Sequence, residues 1–198
     1  MKERPILFKP EMIKAILNDS KTMTRRVVKS LNKNGFKCPY GKVKDRLWIK
    51  EIWSTYPPYS ERPTIICNTD SPHIAHKKTG LFESVIHKAG KENFSFGMYG
   101  EPKWKSPLLM PKTATRIWLE ITDIRIERLQ DITVYDCLAE GIEINPDNLF
   151  SPVTKLSIDT SFLILNKFEI LWDSINKKEP YRWQDNPFTF VIEFRKLR

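Results

Sequence analysis

The chain has 198 residues, 40% of them apolar and 12% aromatic, with 33 Lys and Arg against 24 Asp and Glu. That is enough apolar material for one well-formed core, so a single domain over 1–198 is expected, and no run approaches the roughly 18 apolar residues of a membrane span. The N-terminus lacks the apolar stretch of a signal peptide, which predicts a cytoplasmic protein with no membrane partner.

In chain order, Pro5 to Phe8 reads as a short strand. Pro10 suits the first turn of a helix whose Met12, Ile13, Ile16 and Leu17 form one apolar face, and Asn18 to Ser20 end it. Lys21 to Arg26 then fall in the turn after a packed helix, where side chains are held by a rigid element and expected to be exposed. "RLWIKEIW" (46–53) reads as one strand, with Leu47, Ile49 and Glu51 on one face and Trp48, Lys50 and Ile52 on the other. Residues 54–108 lose clear periodicity, carry six of the fourteen prolines, and read as an insertion with short strands at 64–67 and 82–87.

The strongest strand is "TRIWLEITDIRIERL" (115–129), in which Ile117, Leu119 and Ile121 alternate before the parity shifts to Ile124 and Ile126, as a bulge near Thr122 and Asp123 would cause. Thr133 and Asp136 stand in capping-box positions for a helix that stops at Gly141. A second helix over about 161–175 would bury Ile164, Phe168, Leu171, Trp172 and Ile175. The chain closes on "PFTFVIEF", a strand with Phe188, Phe190, Ile192 and Phe194 on one face.

Charge is concentrated. Residues 21–50 hold ten Lys and Arg and one acid, Asp45, so the whole net charge of +9 comes from this stretch, and the rest of the chain is balanced at 23 against 23. An anionic partner follows. Nucleic acid fits better than a membrane surface, because no long helix sets large apolar residues opposite the cations. The plainer reading is a solvated basic loop that aids solubility.

Cys38, Cys67 and Cys137 lie far apart without a CxxC pair, which excludes a disulfide framework or a zinc ribbon and predicts reduced thiols. His73, His76 and Cys67 match no closed zinc spacing, so neither a metal nor another cofactor is expected.

Four blocks together resemble the ASCH domain family, relatives of the PUA domain: the first helix followed by "SKTMTRR", "GKVKDRLWIKEIW", "TRIWLEITDIRIERLQDIT…AEGI" and "NPFTFVIEF". The family's motif G-x-K-T-x-T-x-R is matched by Lys21, Thr22, Thr24 and Arg26, with Ser20 near the usual Gly and Arg25 at a variable place. The blocks cover about the outer two-thirds of the chain and are most similar to the longer ASCH proteins carried on phage and prophage genomes. The resemblance implies an α+β fold, a PUA-like small β-barrel with flanking helices, and a cleft where the Lys-Thr motif meets the helix ending in "AEGI". It implies RNA or a modified nucleoside as partner. In one bacterial branch, an amidohydrolase acting on N4-acetylcytidine, the catalytic Lys, Thr and Glu align with Lys21, Thr24 and Glu140. Another branch has ribonuclease activity, so the fold leaves the reaction open.

The chemistry of these residues can be examined directly. A threonine hydroxyl needs a base, and Lys21 could serve. A lysine at its ordinary value of about 10.4 is neutral in only about 0.04% of molecules at pH 7. Arg25 and Arg26 push that value down, whereas a pairing with Glu140 would hold the lysine charged and favour an electrostatic role. With i, i+3 spacing, a helical turn or tight loop would set Lys21 and Thr24 on one side, with Glu140 arriving from another helix. Thr22, Arg25 and Arg26 are further ligand-contact candidates. Arg25 and Arg26 are expected to be exposed and either to clamp phosphate or to pair with acids such as Glu51. Trp48 and Trp53 read as packing or as base-stacking platforms, with Trp48 and Glu51 kept as ligand candidates. Lys112 and Arg116 could line the cleft or sit at a strand edge.

Overall fold

Strand β1 (Glu3–Leu7) runs parallel to β3 (Arg46–Lys50), and β3 pairs antiparallel with the start of β7 (Trp118–Arg128), Leu47 standing opposite Leu119. The computed structural model describes residues 1–29, 37–56, 73–75, 82–89, 102–143 and 158–197. Within them the chain divides into two compact units, one of Met1–Lys14, Asp45–Glu120 and Lys196–Arg198 and the other of Ala15–Lys44 and Ile121–Arg195. Helix α1 (Pro10–Leu17) and strand β7 belong partly to each.

In the first unit Ile6, Ile117, Leu119 and the three consecutive residues Leu47, Trp48 and Ile49 are buried, so β3 is covered on both faces. The segment 46–53, expected as one strand, is two. Glu51 leaves the ladder because its N–H reaches the Met110 Sδ at 3.3 Å and its carboxylate is held by Arg116, after which β4 (Trp53–Tyr56) starts a second sheet. That sheet has the order β4-β6-β5, with β6 at Phe82–His87, the strand expected there, and β5 at His73–Ala75. Trp53, Val85, Met110 and Ala114 form its small core. The strand expected at 64–67 lies outside the described residues.

In the second unit β8 (Phe188–Leu197) pairs antiparallel with β2 (Met23–Val27), Thr24 facing Ile192 and Arg26 facing Phe190. The larger sheet has the order β1-β3-β7-β8-β2. Thr189, Phe190, Val191 and Ile192 are all buried, so β8 is covered on both faces instead of showing the single apolar face expected, and Phe188 is exposed with the Arg128 guanidinium 3.8 Å from its ring centre. Helix α2 (Val134–Ala139) begins with the expected capping box, Thr133 and Asp136 each accepting from the other's backbone N–H. Helix α3 (Ile158–Ile175) sets Ile164, Phe168 and Trp172, four residues apart, against Leu129, Ile132 and Cys137. Ile175, expected in this core, is exposed because it is the last residue of the helix. The architecture is α+β, as expected. No helix among the described residues is long and apolar enough to cross a membrane.

Candidate functional site

Two helix ends in the second unit build the site. Helix α1 stops with Asp19 in the left-handed region at φ 59°, its N–H donating to Ile16 O and the Ser20 N–H to Ala15 O. Helix α2 stops in the same way at Gly141, φ 86°, with Gly141 N–H donating to Leu138 O and Ile142 N–H to Cys137 O. Both are helix stops that reverse the chain within two residues and satisfy the last carbonyls. Between them Lys21 and Glu140 form an isolated antiparallel bridge, extended by Thr22 N–H donating to Ala139 O at 2.8 Å. A Cβ at position 141 would stand 2.9 Å from Ala15 Cβ and 3.1 Å from Lys21 Cβ, so glycine is required there by both backbone angle and space.

The bridge carries the side chains together. Lys21 Nζ donates to Glu140 Oε2 at 2.6 Å and to the Glu140 carbonyl at 2.7 Å, and both residues are buried, 2% and 4% exposed. Burial lowers the Lys21 amine below its ordinary value; the charge and hydrogen bond of Glu140 oppose the shift, while Arg26 and Arg25 add to it. The other carboxylate oxygen, Glu140 Oε1, is buried with no hydrogen-bond partner among the described residues, and Arg25 Nη1 stands 3.9 Å away.

Arg25 is buried, not exposed. Its Nη2 donates to Glu127 Oε2 at 3.1 Å and Asp136 Oδ2 at 3.0 Å, and its Nη1 to Met23 Sδ at 3.3 Å. Arg125 extends this network to Glu127, Asp136, Asp123 and Glu193. Burial alone would raise the Asp136 carboxyl, but the Thr133 N–H and Arg25 hold it below the usual carboxylate range. Around Lys21, Arg25 and Arg125 stand five carboxylates, so this interior has no surplus of positive charge for a phosphate. Among the described residues, the exposed cations of the basic stretch are Lys29, Lys37, Lys42 and Lys44. Arg26 is half-buried, its guanidinium 5.8 Å from the Tyr40 ring centre.

The turn expected around Lys21–Thr24 is instead the entry to β2. Along an extended strand Met23 and Arg25 share one face, and Thr24 and Arg26 the other, so i, i+3 convergence by a helical turn does not operate here. Thr24 is buried, and Thr22 is exposed with its carbonyl accepting from Phe194 N–H at 2.9 Å. Glu51, in the first unit, takes two hydrogen bonds from Arg116, at 2.9 and 2.8 Å, and Arg116 also donates to Ala89 O. Trp48 is buried rather than offered for stacking, with Lys50 Nζ 5.3 Å from its ring centre. Lys112 pairs with Glu3 and lies 5.4 Å from the Trp118 ring centre. Cys38 and Cys137 are buried free thiols, that of Cys137 pushed up to about 12 by burial. The side chains of Cys67, His73 and His76 lie outside the described residues.

Sequence reasoning missed Glu127, Asp136 and Arg125 as neighbours of the pair. The signals were present: Arg125 and Glu127 at period two, and Asp136 one helical turn before Glu140.

No family model and no curated protein matches the chain. Among solved structures, it is similar to an ASCH domain from Lactobacillus crispatus at 8% identity and a TM-score of 0.45, covering 98% of this chain and 79% of that one. It is similar also to a DUF984 protein from Enterococcus faecalis at 7% identity and a TM-score of 0.44, covering 100% of this chain and 80% of that one.

Proposed function

We propose that the chain is an ASCH-type protein that binds RNA or a modified nucleoside and hydrolyses an amide on the base at the Lys21–Glu140 pair. The observation that carries this reading is the buried contact of 2.6 Å between Lys21 Nζ and Glu140 Oε2, beside a second carboxylate oxygen without a hydrogen-bond partner among the described residues. Burial that lowers the Lys21 amine favours its neutral form, the form able to take a proton from a water molecule as it attacks the acyl carbon. That proton passes to the departing amine nitrogen as the C–N bond breaks, and the acid is released. The exposed lysines 29, 37, 42 and 44 supply the electrostatic surface for a nucleic-acid backbone.

One observation favours a second, non-catalytic reading. Lys21 also donates to the Glu140 backbone carbonyl at 2.7 Å, so its charge caps the negative end of α2, a role that binding alone accounts for. A screen of acylated and other modified nucleosides and short RNAs with mass-spectrometric readout separates the two. Loss of an acyl mass from a nucleoside, abolished in Lys21→Met and in Glu140→Gln, supports hydrolysis. Binding without any mass change supports the second reading, and shortened RNA strands would replace both with a nuclease.

A further inference from the structure

Arg25 presents a puzzle that neither a phosphate clamp nor a surface salt bridge resolves. It lies outside the motif positions matched at Lys21, Thr22, Thr24 and Arg26, its side chain is fully buried, and its guanidinium is turned toward acids of two other elements. Asp136 and Glu140 are four residues apart at the end of α2, one turn above the other, which sets two carboxylates on one helix face. Glu127 approaches from β7. Three buried or half-buried carboxylates so placed repel one another and turn apart unless a cation stands among them.

We infer that Arg25 is a positioning residue for the Lys21–Glu140 pair: its guanidinium, anchored on Glu127 and Asp136, stands 3.9 Å from Glu140 Oε1 and keeps that carboxylate turned with Oε2 on Lys21. The fork shape matters. One nitrogen, Nη2, holds both anchoring carboxylates at 3.1 and 3.0 Å, which leaves Nη1 on the Glu140 side, held by Met23 Sδ at 3.3 Å. A lysine ammonium at the same place has no second nitrogen to divide between the anchors and Glu140. Arg26 on β2, Cys137 on α2, Arg125 on β7 and Glu193 on β8 complete the charged and titratable surroundings.

This inference rests on the reading of Lys21 and Glu140 as the working pair, but its test does not use turnover. The Lys21 side-chain amine is titrated by NMR in the full chain, in the wild type and in Arg25→Gln, Arg25→Lys and Glu127→Gln. Arg25→Gln frees Glu140 to turn off Lys21, and because the charge and hydrogen bond of Glu140 outweigh the repulsion Arg25 itself exerts on the amine, the Lys21 pKa is expected to fall by about one unit or more. Loss of an anchor in Glu127→Gln loosens the same guanidinium and is expected to move it the same way, by less. Arg25→Lys is expected to restore the titration only in part, because charge returns without the fork. A Lys21 titration unchanged in both Arg25→Gln and Glu127→Gln, or raised in Arg25→Gln as loss of a neighbouring cation alone would raise it, overturns the inference. Where Arg25→Gln does not fold, Glu127→Gln, which keeps the guanidinium and removes one of its contacts, carries the test with Arg25→Lys: an unchanged titration in these two also overturns it. Normal titration shifts in a protein that hydrolyses no nucleoside would refute the hydrolytic reading and leave Arg25's role standing.

Discussion

Lys21 Nζ lies 2.6 Å from Glu140 Oε2 and 2.7 Å from the same residue's carbonyl oxygen, although the two residues are 119 positions apart in the chain. A buried ion pair is stabilising only as a pair, since either partner alone is a charge out of water. Lys21→Met and Glu140→Gln are each expected to cost about 3–5 kcal/mol, and the double variant clearly less than their sum, because it leaves no unpaired charge. Urea denaturation of the three variants measures this. Strict additivity would mean that the two side chains do not act as a unit.

Gly141 admits no side chain without moving Lys21 or Ala15. Its φ of 86° and the 2.9 and 3.1 Å approaches of a Cβ both act against Gly141→Ala, which is expected to lose about 1–3 kcal/mol from backbone strain alone. In the hydrolysis assay the same variant should lose turnover more than fold, since the displaced group carries Lys21. A variant as stable and as active as the wild type would show that the turn relaxes freely.

His87 predicts an acid-sensitive first unit. Its Nε2 donates to Ala114 O at 2.9 Å, and burial lowers its pKa below 6.5, with Glu51 opposing. As pH falls below about 6.5 the unfolded chain takes up a proton that the folded chain refuses, so stability present above that value is lost on acidification until the folded pKa is reached. Denaturation midpoints between about pH 7 and pH 5 should fall, and His87→Gln, whose amide can still donate to Ala114, should flatten the fall. An unchanged slope in the variant assigns the acid response to other groups.

Under the proposed function, the exposed lysines are expected to give RNA binding its salt dependence. Affinity should decline on a log-log plot with a slope of roughly 0.7 for each phosphate contacted, and changing Lys29, Lys37, Lys42 and Lys44 to Glu should flatten the slope and weaken binding without unfolding the protein. Arg25→Glu, by contrast, should destabilise the fold, since it places a fourth carboxylate among Glu127, Asp136 and Glu140. Fluorescence anisotropy across a salt series, with thermal melts of each variant, checks both. Flat salt dependence in the wild type would remove the electrostatic surface from the proposal.

Local chemistry was enough to read much of this molecule from its sequence. Pro10, the Thr133–Asp136 capping box and Gly141 are legible because a helix start or stop is decided within a few residues. The alternation of Ile117, Leu119 and Ile121 is legible because one face of a strand repeats every second residue. The likeness of "KTMT" and "AEGI" to a known motif pair foretold that Lys21 and Glu140 belong together, though not how. Only the tertiary structure decided that Lys21–Arg26 is the entry to a paired strand and not an exposed turn, because pairing with β8 is a contact made across more than 160 residues. For the same reason it decided the fate of Arg25. A run of cations reads as a surface when its neighbours are unknown, and Glu127, Asp136 and Glu140 reach Arg25 only once β7 and α2 have folded against β2.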